Sequence, residues 1–234
     1  MRINRTAIKY NAKNIISSAK PNPILVGLAY LGITMILQIL ADNVSGLSRM
    51  STEMMEQMRL GNMNYIPELP RVGPSGVSIV IAIFIMMLMM DTGFTIYCLN
   101  ACQVRKAGFG NLFDGFAVFF KVLWLTILMG IFIYLWSLLL IIPGIIAAYR
   151  YRMALYIMLE NPNLSALECI RASKRMMYGH KGELFILDLS FLGWRLLTMF
   201  PFVIIWVAPY TAITYVNFYL ALRDMPTPRF DRQI

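Results

Sequence analysis

Residues 135–194 read LWSLLLIIPGIIAAYRYRMALYIMLE, then NPNLSALECIRASKRMMYGHKGE, then LFILDLSFLGW. An apolar run meets a Pro-Gly pair, resumes, gives way to a polar amphipathic segment and turns apolar again. The pattern predicts a membrane hairpin about Pro143 and Gly144, a surface helix, and the first arm of a second hairpin. The fold class follows from it: an all-α, polytopic membrane helical bundle of about six transmembrane helices plus amphipathic cytoplasmic helices.

The composition agrees. Of the 234 residues 59% are hydrophobic and only 14% charged. A soluble domain holds about 45–50% apolar and about 25% charged residues. No water-soluble core absorbs that excess, whereas about 20 apolar residues cross the hydrocarbon as a helix. The net charge of +9 does not point to nucleic acid, because the bases cluster beside apolar runs, where the positive-inside rule accounts for them. Three cysteines make no disulfide framework. Cys98 and Cys102 are four apart on one helix and read as small buried hydrophobes rather than metal ligands. The first apolar run starts at Pro23, too late for a cleavable signal pattern.

Three segments are expected. Residues 1–22 form a basic amphipathic N-terminal segment. Arg5, Lys9 and Lys13 share a helical face that suits anionic lipid, and Ile8, Ala12, Ile15 and Ile16 supply an apolar one. Residues 23–222 form the membrane domain, and residues 223–234 a cytoplasmic tail with Arg223, Arg229 and Arg232.

Within the membrane domain the expected spans are 23–41, 77–100, 122–142, 145–159, 184–200 and 202–222. The loop 42–76 sets Arg49, Arg59 and Arg71 against Asp42, Glu53, Glu56 and Glu68, a net −1, and is expected outside. The loop 103–121 sets Arg105, Lys106 and Lys121 against Asp114, a net +2, and is expected inside. Both termini are then cytoplasmic. The turn residues are Pro143 and Gly144, Pro201 at the second outer turn, and Pro209 as a kink in the last span.

An amphipathic cytoplasmic helix is expected over 164–178. Ser165 and Glu168 form a capping box and Gly179 a stop. Leu167, Ile170, Lys174 and Met177 are expected on its packed side, with Arg171 and Arg175 toward water. WSLLLIIP at 136–143 also matches WRLLTMFP at 194–201 in its Trp, both Leu and Pro, a weak internal repeat.

Little in the sequence speaks for catalysis. The single histidine, His180, has no partners in sequence for a metal site or acid–base work and reads as a surface turn or headgroup contact. Met50, Met54, Met55 and Met58 recur in the outer loop. Thioethers suit Cu(I), but with no His or Cys beside them an interfacial helix is the favoured reading. No cofactor, metal or catalytic residue is expected. The remaining signal is ionisable: Asp91, Arg195, Asp188, Arg150 and Arg152 lie in or near apolar runs, where charges turn toward the bundle interior or water. They form the candidate intramembrane polar network, with Asp91 and Arg195 expected to share it.

LFDGF at 112–116, LWSLLLIIPGIIAAY at 135–149, YIMLENP at 156–162, SKRMMYGHKGELFILDLSFLGW at 173–194, Pro209-Tyr210 and Phe218-Tyr219 together resemble an uncharacterised bacterial multi-pass integral-membrane family, domain of unknown function family 975. The resemblance implies a cytoplasmic-membrane protein with no assigned reaction. The family is distantly similar to the membrane portion of some glycerophosphodiester phosphodiesterases, which implies an envelope or lipid role by analogy. Arg150 and Arg152 depart from its pattern.

The leading expectation is a non-enzymatic membrane protein that supports the envelope or docks on another membrane complex. The alternative is a small-molecule or lipid transporter or channel with a polar intramembrane site. The expected partner common to both is the lipid bilayer.

Overall fold

The computed structural model describes residues 3–198 and 201–225. Those residues form eleven α-helices and no strand. The bases Arg229 and Arg232 lie outside the described residues.

Helix α1 (Arg5–Ser18) is capped by the Asn4 side chain and buries Ile8 and Ala12 against the last helix. Lys20-Pro21-Asn22-Pro23 separates it from α2 (Pro23–Ser45), whose first turn the Asn22 carboxamide caps at 2.9 Å from Ile24 N. Gly46, at φ 77°, turns the chain into α3 (Leu47–Arg59), which buries none of its residues. Then come α4 (Pro74–Cys102), α5 (Asn111–Ala117) and α6 (Phe119–Leu139). The chain continues through α7 (Ile141–Tyr151), α8 (Ala154–Glu160), α9 (Ala166–Met176), α10 (Lys181–Leu197) and α11 (Pro201–Arg223).

Among the described residues four helices are long and apolar enough to cross a membrane: Pro23–Ser45, Pro74–Cys102, Phe119–Leu139 and Phe202–Arg223. The other two expected spans are shorter. The one expected at 145–159 is divided into α7 and α8, with the break at Arg152 and Met153. There Ser173 of α9 intervenes: its hydroxyl donates to the Arg150 carbonyl at 2.8 Å and accepts from Met153 N at 3.2 Å. A side chain from a later helix thus satisfies backbone groups that a continuous helix would pair with itself. The other is α10, whose 17 residues carry Lys181, Glu183, Asp188 and Arg195.

The first hairpin also turns elsewhere than expected. The break is at Leu140, which is extended (φ −165°, ψ 150°), and Pro143 is the third residue of α7. A first-turn proline needs no intrahelical donor, so it marks a helix start rather than a turn. Gly144 is a packing position. A Cβ there would stand closer than 3.0 Å to Ser137, and α7 folds back on α6 through this contact. Pro201 opens α11, and Pro209 lies inside it, its ring against Gly27 of α2.

The starts of α2 and α6 and the ends of α4 and α11 gather at one end of the molecule, the head. Tyr97 OH donates to the Pro21 carbonyl at 2.6 Å, so α4 runs about 8 Å past the start of α2, at 1.5 Å per residue. Helix α5 closes on this part of α4 backbone to backbone. A Cβ on Gly93 would stand closer than 3.0 Å to the Leu112 carbonyl, and one on Gly115 equally close to the Met89 carbonyl. That is the physical content of LFDGF at 112–116: the glycine admits α5 to the surface of α4.

Helix α9 has its capping box, with Ser165 N donating to Glu168 at 2.8 Å and Glu168 N to the Ser165 hydroxyl at 3.3 Å, and Gly179 follows it at φ 82°. Its packed face is rotated from the expected one. Cys169, Ile170, Ser173 and Met177 are buried, whereas Leu167 and Lys174 are exposed.

Candidate functional site

Of the five ionisable residues expected in the bundle, Asp188, Arg195 and Arg152 gather around one tyrosine. Asp188 on α10 accepts from two tyrosines: Tyr149 OH of α7 at 2.8 Å and Tyr215 OH of α11. Arg195, two turns further along the same face of α10, donates to the same Tyr215 oxygen at 3.4 Å. The Arg152 guanidinium stands 5.1 Å over the Tyr215 ring, a cation–π contact. One carboxylate and one phenol thereby tie α7, α10 and α11 together, with two cations beside them.

Asp91 makes no hydrogen bond to this group but lies within electrostatic range of Arg152. Its carboxylate accepts from Tyr30 OH of α2 at 3.2 Å, and Tyr30 stacks on Phe94, centroids 4.7 Å apart. No hydrogen bond or ion pair joins Asp91 to Arg195 among the described residues, and both side chains are exposed. Arg150 contributes its backbone carbonyl to Ser173.

A third carboxylate was not among the expected site residues. Glu160, the last residue of α8, accepts from Gln103 Nε2 after α4, from Tyr219 OH at 2.6 Å, and from Arg223 Nη1 at 2.6 Å. Its side chain is 11% exposed, against 39% for Arg223. Tyr219 also stacks on Tyr156 of α8 at 5.3 Å. The one sequence signal was an acid closing an apolar run in YIMLENP, with its partners 57 to 63 residues away. Such a residue is indistinguishable from a solvated helix end until the fold is known.

His180 Nδ1 lies 2.9 Å from Glu183 Oε2, and Ile3 N donates to the other Glu183 oxygen at 3.3 Å. This histidine therefore belongs to the joint that seats the N-terminal segment on α10. In α3, Met54, Met55 and Met58 are exposed, and among the described residues no group of three or more His, Cys, Asp or Glu is placed to hold a metal. Cys98, Cys102 and Cys169 are free thiols. The two Trp-Pro segments have like local structure. Each ends its helix three residues after the tryptophan, α6 at Leu139 and α10 at Leu197, and each places its proline in the first turn of the next.

These features define an all-helical protein with four helices fit to cross a membrane and carboxylates that join helices. Residues 137–225 match the model of a family described as "Protein of unknown function (DUF975)". The match takes in α7 to α11, with Glu160 and Asp188, and begins after LFDGF. No curated protein and no solved structure matches the chain significantly.

Proposed function

We propose that this is a non-enzymatic, multi-pass protein of the cytoplasmic membrane, with its head and both termini in the cytoplasm, that supports envelope function by docking another membrane complex. The observation that carries this reading is how the head uses its charge. Two of its carboxylates, Glu160 and Asp188, are engaged in holding helices together, and Glu168 caps its own helix. The bases Arg171, Lys174 and Arg175 of α9 point outward with Tyr178, which is 81% exposed. A surface of this kind suits recognition of an acidic partner. Arg105 and Lys106 are exposed on the loop after α4, at the same end, which supports a cytoplasmic head.

The test is purification in mild detergent of the wild-type chain and of Arg171→Glu/Arg175→Glu, with co-purifying proteins identified. The expected result is an unchanged unfolding midpoint and loss of a specific co-purifying protein. An identical set from both chains removes the docking reading. The alternative, transport through a polar intramembrane site, draws on the ionisable Asp91 within an apolar helix, in electrostatic range of Arg152. It predicts that Asp91→Asn abolishes uptake or efflux of a substrate in vesicles while leaving co-purification intact.

A further inference from the structure

We propose that the cleft between α1, α10 and α11 binds a phosphate-bearing anion, of the kind carried by the headgroup of an acidic phospholipid. Arg5, Lys9 and Lys13 follow one another at intervals of four, so they form a single stripe on α1, and like charges so spaced repel. Among the described residues none of the three is in a salt bridge. The stripe is not free to turn away, because Ile8 and Ala12, which flank it on α1, are buried in the core. It lines a cavity of about 410 Å³, and Ser190 of α10 and Tyr210 of α11 line it too.

Lys9 is held in place within that cavity. Its ammonium donates to the Ser190 hydroxyl at 2.7 Å and stands 4.8 Å from the centre of the Phe191 ring. Ser190 in turn donates to the Leu187 carbonyl at 2.6 Å, so its oxygen is the acceptor toward Lys9. Two ammonium protons of Lys9 remain for a ligand. Burial, and then the neighbouring Arg5 and Lys13, push the Lys9 pKa below its ordinary value. An anion among the three cations reverses that penalty. The cleft also stands level with the first turns of α2. Pro209, next to Tyr210, packs on Gly27, the fifth residue of α2, close to where that helix enters its apolar run.

The experiment uses the full-length protein in an uncharged detergent and reads its unfolding midpoint during titration. The probes are phosphatidylglycerol, phosphatidylcholine and inorganic phosphate. The chains are wild type, Arg5→Gln, Lys13→Gln, and Lys181→Gln as a base outside the cleft. Lys9→Gln is not the deciding variant, since it also removes the contact to Ser190. Phosphatidylglycerol should raise the midpoint and phosphatidylcholine should not. Its half-saturating concentration should rise about fivefold in Arg5→Gln and in Lys13→Gln, the effect of one surface cation on an anionic lipid. Lys181→Gln should leave it unchanged. A shift with inorganic phosphate alone, lost in the same two variants, also supports the site and assigns it a soluble phosphate. No shift with either anion, or equal losses in the cleft variants and in Lys181→Gln, overturns the proposal.

Discussion

At the head, Tyr97, Cys98, Met153, Cys169, Met177 and Phe218 are wholly buried. Along α6 only Val122 and Leu125 are buried, and the hairpin tip from Leu138 to Ile142 stands exposed. The most apolar stretch of α6 is 11% buried, against 44% for that of α11. The two regions use similar side chains for different purposes. In the head, apolar residues exclude water and the carboxylates pair across helices. In the α6–α7 arm they stand open, as suits contact with lipid, where helices gain little from burying one leucine against another. Hydrophobicity alone therefore says where the chain resides, and close packing says which part resists change.

The largest contrast should come from glycine. Gly115→Ala forces a methyl into the Met89 carbonyl and should cost about 3 kcal/mol or more, the upper range for overpacking. Gly130→Ala on α6 has open space around it and should be neutral or stabilising by up to about 1 kcal/mol, through helix propensity. Unfolding midpoints in detergent measure both. Equal tolerance would mean that α5 is not locked onto α4.

Next in size is Glu160→Gln, which weakens the acceptor shared by Gln103, Tyr219 and Arg223. With Arg223 partly exposed, a loss of about 2 kcal/mol is expected, typical of a hydrogen bond to a charged group. Ser137→Ala in the arm removes a bond from its hydroxyl to the Ile133 carbonyl of its own helix and should cost less than about 0.5 kcal/mol. Comparable losses at the two sites would erase the distinction between head and arm.

The smallest effect is one of pH. Hydrogen bonds from the Ser165 backbone, then from its hydroxyl, hold the Glu168 carboxyl below its ordinary pKa. A depressed carboxylate contributes stability above its unfolded pKa, about 4.3, and loses it as pH falls through the folded value. Hydrogen exchange in the first turn of α9 should therefore quicken, beyond the intrinsic change, as pH drops below about 4.3. Glu168→Gln should flatten that dependence. The same acid response in both chains would assign it to another group.

The capping box of α9 and the basic stripe of α1 were legible in the sequence because they are local, set by spacings of three and four residues. The four long helices were legible as apolar runs. The break at Arg152 and Met153 was not, since the Ser173 hydroxyl that stabilises it belongs to another helix. Glu160 was missed for the same reason. Gly93 and Gly115 are ambiguous as letters, and only the approach of Leu112 and Met89 shows what they permit. Pro143 reads as a turn from the sequence alone, because a proline after an apolar run signals both an ending and a beginning.

The length of α4 has a mechanical consequence. Its 29 residues extend about 43 Å, whereas the hydrocarbon layer is about 30 Å thick. The 21 residues of α6, about 31 Å, match that layer upright. Part of the excess in α4 is its stretch in the head, and tilting is one way the remainder meets a change in bilayer thickness. Because α5 is seated on α4 at two glycines, a tilt of α4 carries α5 with it. The same two contacts that stiffen the head thus gear its attitude to the thickness of the membrane.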